Sequence, residues 1–558
     1  MKKPRPDAGE KNGSPNALVS AAKAQKLDAE AAGMGLDRHS LVEAAGRLCA
    51  RQFCKIFLQG GKASSHNRDS PLLCVLAGSG NNAADALVML KTLVVMRNTD
   101  AASCSVLLAK LPDAGAQSPL SNAFIAVQRL GIAVNAWEAA SLKYLQNAEI
   151  VIDGIAGTGI NGPLYGTAAE MTEAVNSLKK QRPGIVVVSI DVPSGNFDKW
   201  QPSMSIVHAD ASLAIEPEKL CLYSPASRTA AGRIIKVQGI FPPELITQYM
   251  EAVLLDWNYC SSLIAPVKPD AHKYQRGLTE IWAGSTGYAG AAMLAARGAQ
   301  ASGAGLVRLI ADDSIYPVLA AGSGGIMVAP QGQALLNPNT DTGGRFRPDA
   351  ILAGPGWGRG PDRAKLLEKF LPLEAQGVPL ILDADAIALA KGLVFNGNAL
   401  ITPHPGEFAE YTGLSTKEIL SDPIPILRDY AAKNKVNILL KGHVLYIACP
   451  QSAQPLPNSP LSVPNIGVLD GMNPALAAGG SGDVLAGICA GIAGRMAAGS
   501  SAETLKFSSG DFFPCAAAAA SLFLEAARSI KSRFFDPLEL AYAVAGIAGK
   551  AWLSSGVL

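Results

Sequence analysis

The sequence predicts an α/β protein of two domains, each built on a mainly parallel sheet covered by helices. Three observations predict it: the length of 558 residues, a hydrophobic content of 49%, and two successive series in which short apolar runs alternate with amphipathic stretches. Single hydrophobic cores stop growing beyond about 250–300 residues, so one ordinary core is not enough for this chain. We therefore expect two domains of the same class.

The first residues, 1–18, are predicted to be a disordered tail. Charged side chains are frequent between Lys2 and Lys11, and no apolar run follows them that would read as a signal peptide. A first domain is predicted over residues 19–250. Its apolar runs predict strands at 72–77, 104–109, 149–155, 185–192 and 234–237, with helices at 83–95 and 168–180.

A second domain is predicted over residues 265–558, after a linker at 251–264. Strands are expected at 278–283, 306–311, 350–353, 379–384 and 437–447, and helices at 481–496, 515–530 and 538–552. The proline-rich stretch 450–464 is expected to be a long irregular connection.

Charge and cysteine content favour a cytoplasmic enzyme that acts on small molecules. Lys plus Arg number 48 against 46 for Asp plus Glu, and they are scattered, so no basic footprint for nucleic acid or an acidic membrane is present. The nine cysteines form no CxxC or Cys/His spacing for zinc, and we expect reduced, buried thiols. The longest apolar stretches are too short to span a membrane.

The run from Gly479 to Asp483 carries the clearest chemistry. Glycines allow backbone N–H groups to approach a phosphate, and the start of the following helix favours the same anion. Asp483 then lies where a base would be useful. An isolated GGSGD run would more often be a flexible loop with a helix cap, so the neighbouring motifs must decide.

Three polar strand ends mark a candidate site in the first domain. They are the segments 76–85, 152–159 and 189–195, each directly after a predicted strand, where parallel sheets hold ligands. Oxygen ligands from Asn82, Asp153 and Ser194 suit a hard cation, and the turn at 157–159 suits a phosphate. Asp191 is the best candidate for proton transfer. Any one segment alone would be read as a turn or cap.

Together these segments resemble the amino-terminal domain of the YjeF family, the NAD(P)H-hydrate epimerases, over roughly residues 19–249. The family pattern is an NNGGD loop, a D-x-x-x-GTG turn and a D-x-PSG turn. The resemblance implies a Rossmann-like domain that interconverts the R and S epimers of hydrated NADH or NADPH. It implies potassium at Asn82, Asp153 and Ser194, with Asp191 as the acid/base group. The implied substrate contacts are Asn81, Asn82, Ala83, Ala84, Asp85, Gly157, Thr158, Gly159, Ile160, Asn161, Gly162, Pro163 and Asp191.

The first domain departs from the family pattern at two points. Ala83 and Ala84 stand where the family has two glycines, and their methyl groups are expected to crowd a backbone that should approach the ligand. The PSG turn also continues as Asn196-Phe197-Asp198. A first domain with weakened catalysis, retained for binding as in RNA-decapping scaffolds, is therefore the alternative to an active epimerase.

Seven motifs in the second half occur in one order. They are KYxRG at 273–277, GSxGYxGAA at 284–292, GPG at 354–356, LDADA at 382–386, TPHPGE at 402–407, LKG at 440–442 and NPxxAxGGSGDVLxGI at 473–488. Most place small or charged residues at or after a predicted strand end. His404 stands between two prolines, which restrict the backbone and favour display of the side chain. A lone histidine or Lys441 by itself would be read as structural.

These motifs resemble the ribokinase-like NAD(P)H-hydrate dehydratases, from about residue 265 to 558. The resemblance implies that Ala292, Gly356, His404 and Asp483 contact the S-epimer of the hydrate. It implies nucleotide contacts from Lys441, Gly442, His443, Val444, Leu445 and Gly482, with Mg²⁺ and ADP or ATP as co-substrate. Ala478 and Leu445 depart from the residues common in the family. We also expect a homo-oligomer.

The roles that the resemblance implies add up to a phosphorylation-driven elimination. Asp483 takes the proton of the ring hydroxyl, the alkoxide attacks the terminal phosphoryl group, and loss of phosphate restores the reduced ring. The nearest alternative is a ribokinase-like vitamin kinase, which would release a phosphorylated product. The sequence leaves open ADP against ATP and NADH hydrate against NADPH hydrate.

Overall fold

The computed structural model describes residues 16–58, 71–113, 115–336, 347–450, 465–499, 507–530 and 533–553. Two compact units are present, and the division falls between Glu251 and Ala252. We call residues 16–251 the first unit and the described residues from 252 onward the second unit. No helix of these ranges is long and apolar enough to cross a membrane.

The predicted tail and the predicted linker both contain regular structure. Residues 16–18 of the predicted tail belong to a strand, whereas residues 1–15 lie outside the described residues. The predicted linker 251–264 contains a strand and a helix that belong to the second unit. The strand has 3 residues and the helix 6, and elements this short show no clear periodicity in the sequence. The predicted irregular stretch 450–464 lies outside the described residues beyond Pro450.

The first unit alternates strands and helices. Its strands are β1 Asn16–Val19, β2 Leu73–Ala77, β3 Cys104–Leu108, β4 Ala133–Ala136, β5 Ile150–Gly154, β6 Val186–Ile190, β7 Ala211–Ile215, β8 Glu218–Lys219 and β9 Arg233–Val237. Its α-helices are α1 Ala21–Gly33, α2 Arg38–Phe53, α3 Asn81–Val95, α4 Pro119–Arg129, α5 Leu142–Asn147, α6 Gly166–Gln181 and α7 Pro243–Tyr249. The five predicted strands are confirmed with ends that agree within two residues.

Seven of these strands form one parallel sheet in the order β4-β3-β2-β5-β6-β7-β9. The order reverses between β2 and β5, which is the Rossmann arrangement, and ligands bind at such a reversal. Strands β2 and β5 are buried along their whole length, as expected of a sheet covered by helices on both faces. The predicted Rossmann-like class is therefore confirmed. The short strand β8 pairs in parallel with β1.

The second unit is larger. Its strands are β10 Ala252–Leu254, β11 Leu278–Trp282, β12 Leu306–Ala311, β13 Met327–Pro330, β14 Ala350–Ala353, β15 Leu380–Leu382, β16 Ala399–Ile401, β17 Asn437–Leu440, β18 Val444–Ala448 and β19 Ile466–Asp470. Its helices are α8 Trp257–Ser262, α9 Ala289–Ala301, α10 Tyr316–Ala321, α11 Gln331–Leu336, α12 Pro361–Ala375, α13 Asp385–Leu389, α14 Pro405–Thr412, α15 Thr416–Ser421, α16 Pro423–Asn434, α17 Ser481–Gly499, α18 Phe512–Ser529 and α19 Pro537–Trp552.

Strands of the second unit lie in the order β13-β12-β11-β14-β15-β16-β17-β18-β19-β10. Pairs from β13 to β17 are parallel, and β18 is antiparallel to both of its neighbours. The single strand predicted over 437–447 is wrong, because the chain turns at 441–443 to form an antiparallel pair of strands. Lys441 consequently lies at the end of a strand and not inside one.

Close packing of α17 on α9 explains the glycines after Asp483. A Cβ atom added at Gly487 would lie 2.0 Å from the carbonyl oxygen of Ala295, and one added at Gly298 would lie 2.3 Å from that of Val484. Both distances are too short for a real contact, so these positions require glycine. The predicted helix over 481–496 is confirmed and extends to Gly499. Its packing fixes the helix start that carries Asp483.

Candidate active sites

The first candidate site lies where β2 and β5 end side by side. The chain after β2 passes so close to the chain after β5 that a Cβ at Gly78 would lie 1.9 Å from the carbonyl oxygen of Ile155. A Cβ at Gly157 would lie 3.1 Å from Cβ of Asn82. Two of the three predicted polar strand ends are thus in contact, as the topology requires.

Asp153 is the centre of this site and is fully buried. Its Oδ2 accepts hydrogen bonds from Ser189 Oγ at 2.7 Å and from the backbone nitrogen of Ser194 at 2.9 Å. Its Oδ1 accepts from Ser194 Oγ at 2.5 Å. Burial raises the pKa of Asp153, and these hydrogen bonds oppose the increase. The third strand end, which carries Ser194, is therefore joined to the second.

Asn82 has unsatisfied polar atoms in the same place. It is 8% exposed, and neither its Oδ1 nor its Nδ2 has a hydrogen-bond partner among the described residues. Buried amide groups are normally paired, so a missing partner points to a ligand or ion. Asn82 Oδ1 and the oxygens of Asp153 and Ser194 are the type of donor atom that hard cations prefer.

Asp191 follows β6 and is held by a lysine that the motifs do not include. Lys219 Nζ, in β8, lies 2.7 Å from Asp191 Oδ1, and the side chains are 5% and 11% exposed. Asp191 also has a left-handed backbone with φ of +63°. Such a conformation is costly for a residue other than glycine and is often found at functional sites.

Two more carboxylates act on this pair. Asp85, in α3, is 8% exposed and its Oδ1 has no partner among the described residues. Burial raises the pKa of Asp85 well above its ordinary value, with a smaller increase from the charge of Asp191. Asp28, in α1, has its pKa raised by desolvation and lowered by the charge of Lys219. The charge of Lys219 thus lowers the pKa of both Asp28 and Asp85, while its hydrogen bond is to Asp191.

Helix α1 forms one side of the site, although no motif in the sequence indicates it. Gln25 Nε2 donates to the carbonyl oxygen of Thr158 at 3.1 Å, within the predicted 157–163 turn. The first turn of α1 is fixed by Asp198, whose Oδ2 accepts from the backbone nitrogen of Ala21 at 2.9 Å. The departure Asn196-Phe197-Asp198 is thereby explained in part, since Asn196 is also buried and donates to the carbonyl oxygen of Cys221.

The remaining predicted substrate contacts of the first site divide into buried and accessible residues. Ala83 and Ala84 are 1% and 0% exposed and belong to the hydrophobic core, so the expectation that their methyl groups crowd a ligand has no support in their position. Asn81, Gly159, Asn161 and Pro163 are exposed. Gly157, Thr158, Ile160 and Gly162 are half-buried.

The second candidate site lies at the carboxyl ends of five neighbouring parallel strands, β11, β14, β15, β16 and β17. The GSxGYxGAA, GPG, LDADA, TPHPGE and LKG motifs follow these strands. Because carboxyl ends of parallel strands share one edge, the motifs meet there.

Lys441 connects three of these motifs. Its Nζ lies 2.7 Å from Asp383 Oδ1 and 3.8 Å from Glu407 Oε2. The same Asp383 oxygen accepts a hydrogen bond of 2.7 Å from Thr402 Oγ1. Burial lowers the pKa of Lys441, but the charges of Asp383 and Glu407 outweigh it, and the pKa is raised overall. Lys441 is therefore a charged ammonium group in a partly buried place.

Asp483 lies in the first turn of α17 beside this cluster. Burial and the charge of Asp383 raise its pKa to about 7, and the charge of Lys441 lowers it. A Cβ at the neighbouring Gly482 would lie 3.3 Å from Lys441 Nζ, which places the ammonium group beside the helix start. A carboxyl group with a pKa near the operating pH is suited to act as a general base.

The two ring nitrogens of His404 have different surroundings. Its Nδ1 accepts hydrogen bonds from the backbone nitrogens of Gly406 at 3.0 Å and Glu407 at 3.2 Å, so it caps α14. Acceptance at Nδ1 places the proton on Nε2 in the neutral ring. The side chain is 58% exposed, and Nε2 lies 3.5 Å from Glu407 Oε1. Nε2 is thus available as a donor.

Other predicted residues of the second site differ in accessibility. Ala292 is fully buried beneath the turn at Gly284, so its side chain faces the core. Gly356 has φ of +57°, and a Cβ there would lie 2.6 Å from Cβ of Tyr288. Gly442 and His443 are exposed in the turn before β18, while Val444 and Leu445 are buried. The departure at Leu445 is a core side chain, 2% exposed.

Two protein families match the two units. Residues 38–221 match the family described as YjeF-related protein N-terminus, and residues 280–535 match the family described as NAD(P)H-hydrate dehydratase. The chain belongs to the YjeF-related family of NAD(P)H-hydrate repair proteins.

Relatives of this repair family match along most of their length. The chain is 29% identical to the bifunctional NAD(P)H-hydrate repair enzyme of Moorella thermoacetica, over 76% of this chain and 79% of that protein. It is 28% identical to that of Salinibacter ruber, over 82% and 84%. Among solved structures, the ADP/ATP-dependent NAD(P)H-hydrate dehydratase of Bacillus subtilis has 22% identity and a TM-score of 0.44 over 53% of this chain and 99% of that chain.

The motifs of the repair family miss two elements of the first site. Lys219 stands in a Glu-Lys pair that resembles a solvent-facing turn, and only the partner Asp191 reveals it. Helix α1 ends before the matched range begins. Its amphipathic pattern, with Leu27 buried, could have predicted a helix but not its place beside the site.

Proposed function

We propose that this protein repairs hydrated NADH and NADPH, with epimerisation of the R and S hydrates in the first unit and nucleotide-dependent dehydration of the S hydrate in the second. The single observation that carries the proposal is Asp483, a carboxyl group with a pKa of about 7 at a glycine-rich helix start beside Lys441. Phosphoryl transfer needs these two functions, a base and an anion cradle.

The dehydration is a transfer followed by an elimination. Asp483 removes the proton of the ring hydroxyl group, and the hydroxyl oxygen forms a bond to the terminal phosphorus of ADP or ATP while the bond to the shortened nucleotide breaks. The carbon–oxygen bond of the phosphorylated hydrate then breaks, phosphate leaves with the electron pair, and a proton is lost from the adjacent ring carbon. The reduced nicotinamide ring results.

Lys441 and the helix start have separate roles in that step. The ammonium group of Lys441, held by Asp383, neutralises negative charge on the phosphates, and the N–H groups at the start of α17 bind phosphate oxygens. His404 offers its Nε2 proton to the hydrate.

Mg²⁺ fits this site only together with the nucleotide. Within the described ranges, no group of three or more His, Cys, Asp or Glu side chains is arranged to hold a metal ion. Mg²⁺ is commonly bound by one or two carboxylates plus substrate phosphates, and it supplies positive charge to the transferring phosphoryl group. Asp483, in the first turn of α17, and Asp383, whose charge acts on it, are the carboxylates that would hold the ion.

Epimerisation is assigned to Asp191. The Asp191 carboxylate takes the proton of the ring hydroxyl group, the carbon–nitrogen bond of the hemiaminal breaks as the carbonyl forms, and the nitrogen then adds to the other face of that carbonyl as the proton returns to its oxygen. Potassium at Asn82, Asp153 and Ser194 would order the loops that hold the dinucleotide. The exposed residues of the 157–163 turn and Asn81 are suited to bind its phosphates and riboses. The core position of Ala83 and Ala84 favours an active epimerase over a binding-only domain.

A single assay tests both activities. Mixed R and S hydrates are incubated with the enzyme and either ADP or ATP, and the recovery of reduced nicotinamide is followed by absorbance. Full recovery faster than spontaneous epimerisation is expected. Asp191→Ala should stop recovery at the S fraction, and Asp483→Asn should abolish it. No recovery with either nucleotide would contradict the dehydratase, and accumulation of a stable phosphorylated product would indicate a kinase.

A further inference from the structure

Lys219 is a buried cation with two fixed acceptors. Its Nζ donates to Asp191 Oδ1 at 2.7 Å and to the carbonyl oxygen of Ile215 at 2.9 Å. The first unit is thus built to keep an ammonium group inside, where an isolated charge would be costly. Replacement of buried ion pairs by apolar residues is often neutral or stabilising, so stability alone does not account for this pair.

The contacts of Asp191 are all on one side of its carboxylate. Oδ1 accepts from Lys219 and from the backbone nitrogen of Ile215 at 3.2 Å. The hydrogen bonds that the structure records for this side chain among the described residues leave Oδ2 without a protein donor. With its backbone in the left-handed region and Oδ1 fixed by two donors, the carboxylate has one orientation.

Lys219 also distinguishes Asp191 from its neighbours. Its charge acts on Asp28 and Asp85, but the direct contact is to Asp191. The recorded hydrogen bond of the Lys219 ammonium group to a carboxylate, among the described residues, is the one to Asp191. The geometry therefore singles out Asp191 as the carboxylate that Lys219 positions.

We propose that Lys219 is the positioning residue of the epimerase site: by holding Oδ1 of Asp191, it presents Oδ2 of the same side chain to the ring hydroxyl group of the hydrate. The inference rests on the proposed epimerase function. It adds a residue from β8 to a site otherwise formed by the loops after β2, β5 and β6 and by α1.

The test compares Lys219→Met, which keeps the length without the charge, with Lys219→Arg, which keeps the charge. In the full chain, kcat for R-to-S conversion of purified R hydrate should fall about a hundredfold in Lys219→Met, with little change in KM, because the ammonium group contacts the base and not the substrate. Lys219→Arg should recover part of that loss. Dehydration of the S hydrate by the same preparations serves as the internal control.

A double-mutant cycle tests whether Lys219 acts through Asp191. In an Asp191→Asn background, Lys219→Met should change the residual rate by less than about twofold, since the group that it positions is already lost. A full additional loss in that background overturns the proposal. So does a rise in KM at unchanged kcat, or a Lys219→Met enzyme within about twofold of the wild type.

The two hypotheses fail in different ways. If the wild type does not accelerate R-to-S conversion, the proposed epimerase function fails. If the wild type is active and Lys219→Arg is no better than a folded Lys219→Met, the positioning role fails. Should Lys219→Met not fold, shown by loss of the cooperative thermal transition of the first unit, Lys219→Gln and Lys219→Arg in the wild-type and Asp191→Asn backgrounds provide the same comparison.

Discussion

Lys441 Nζ lies 2.7 Å from Asp383 Oδ1, and the Asp383 side chain is 2% exposed. The pair joins the loop after β15 to the turn after β17, beside the helix start that carries Asp483. It therefore has a structural and a catalytic consequence, and these can be separated by experiment.

Lys441→Met should destabilise the second unit. Removal of one partner of a buried ion pair leaves the other charge uncompensated and costs about 3–5 kcal/mol. Denaturant unfolding measures the effect. Lys417→Met, at an exposed lysine of α15, is the matched control and should change the free energy of unfolding by less than about 0.5 kcal/mol. The double variant Asp383→Asn/Lys441→Met should cost less than the sum of the single changes, and strict additivity would contradict a coupled pair.

Dehydration should depend on pH through Asp483. Its pKa is raised to about 7, and only the ionised form accepts a proton, so kcat/KM should fall as pH decreases through about 7. Because the charge of Lys441 lowers this pKa, the residual activity of Lys441→Met should fall at a higher pH than that of the wild type. A profile without an acidic limb between about pH 6 and about pH 8 would exclude Asp483 as the base.

Asp85→Asn should stabilise the first unit more at high pH than at low pH. Burial raises the pKa of Asp85 in the folded state, so its favourable contribution is fully present below the unfolded pKa of about 3.9 and is lost as pH rises through the folded pKa. The asparagine side chain does not titrate, so the variant does not lose stability in this way as pH rises. The difference in Tm between variant and wild type should increase from about pH 5 to about pH 8. Asp100→Asn, at an exposed aspartate, should show no such trend.

Gly487→Ala should destabilise the second unit, since its methyl group would meet the carbonyl oxygen of Ala295 at 2.0 Å. Overpacking of this kind typically costs about 1–3 kcal/mol. Gly546→Ala, at an exposed position in α19 with no atom within 4 Å of the added Cβ, should instead stabilise by about 0.5–1 kcal/mol. If both substitutions changed the Tm by the same amount, helix propensity and not packing would determine the effect of Gly487→Ala.

Strands of the parallel sheets could be predicted well because they are continuous apolar runs between polar loops. The strand 306–311 agrees with β12 at both ends, and Asp153 was placed correctly at a strand end. The turn at 441–443 was missed because it is short and the apolar residues continue on both sides.

Pairings that depend on distant parts of the chain could not be predicted. Lys219 meets Asp191 only because β7 returns the chain to the end of β6, and nothing local to a Glu-Lys sequence shows this. The core position of Ala83 and Ala84 depends in the same way on where α3 packs. Their methyl groups were expected to crowd a backbone that approaches the ligand because sequence alone does not give the orientation of a helix.

The way α1 is attached has a practical consequence for work on the first unit alone. The backbone nitrogen of Ser20 donates to Glu251 Oε2 at 2.7 Å, and Gln25, one turn further along α1, donates to Thr158. Ser20, Gln25 and Glu251 all lie outside the family match at 38–221. An expression fragment trimmed to that match would lose Asp28, the support of the 157–163 turn and the residue that anchors α1, so assays of such a fragment would understate the epimerase. A fragment from residue 16 to residue 251 retains all three.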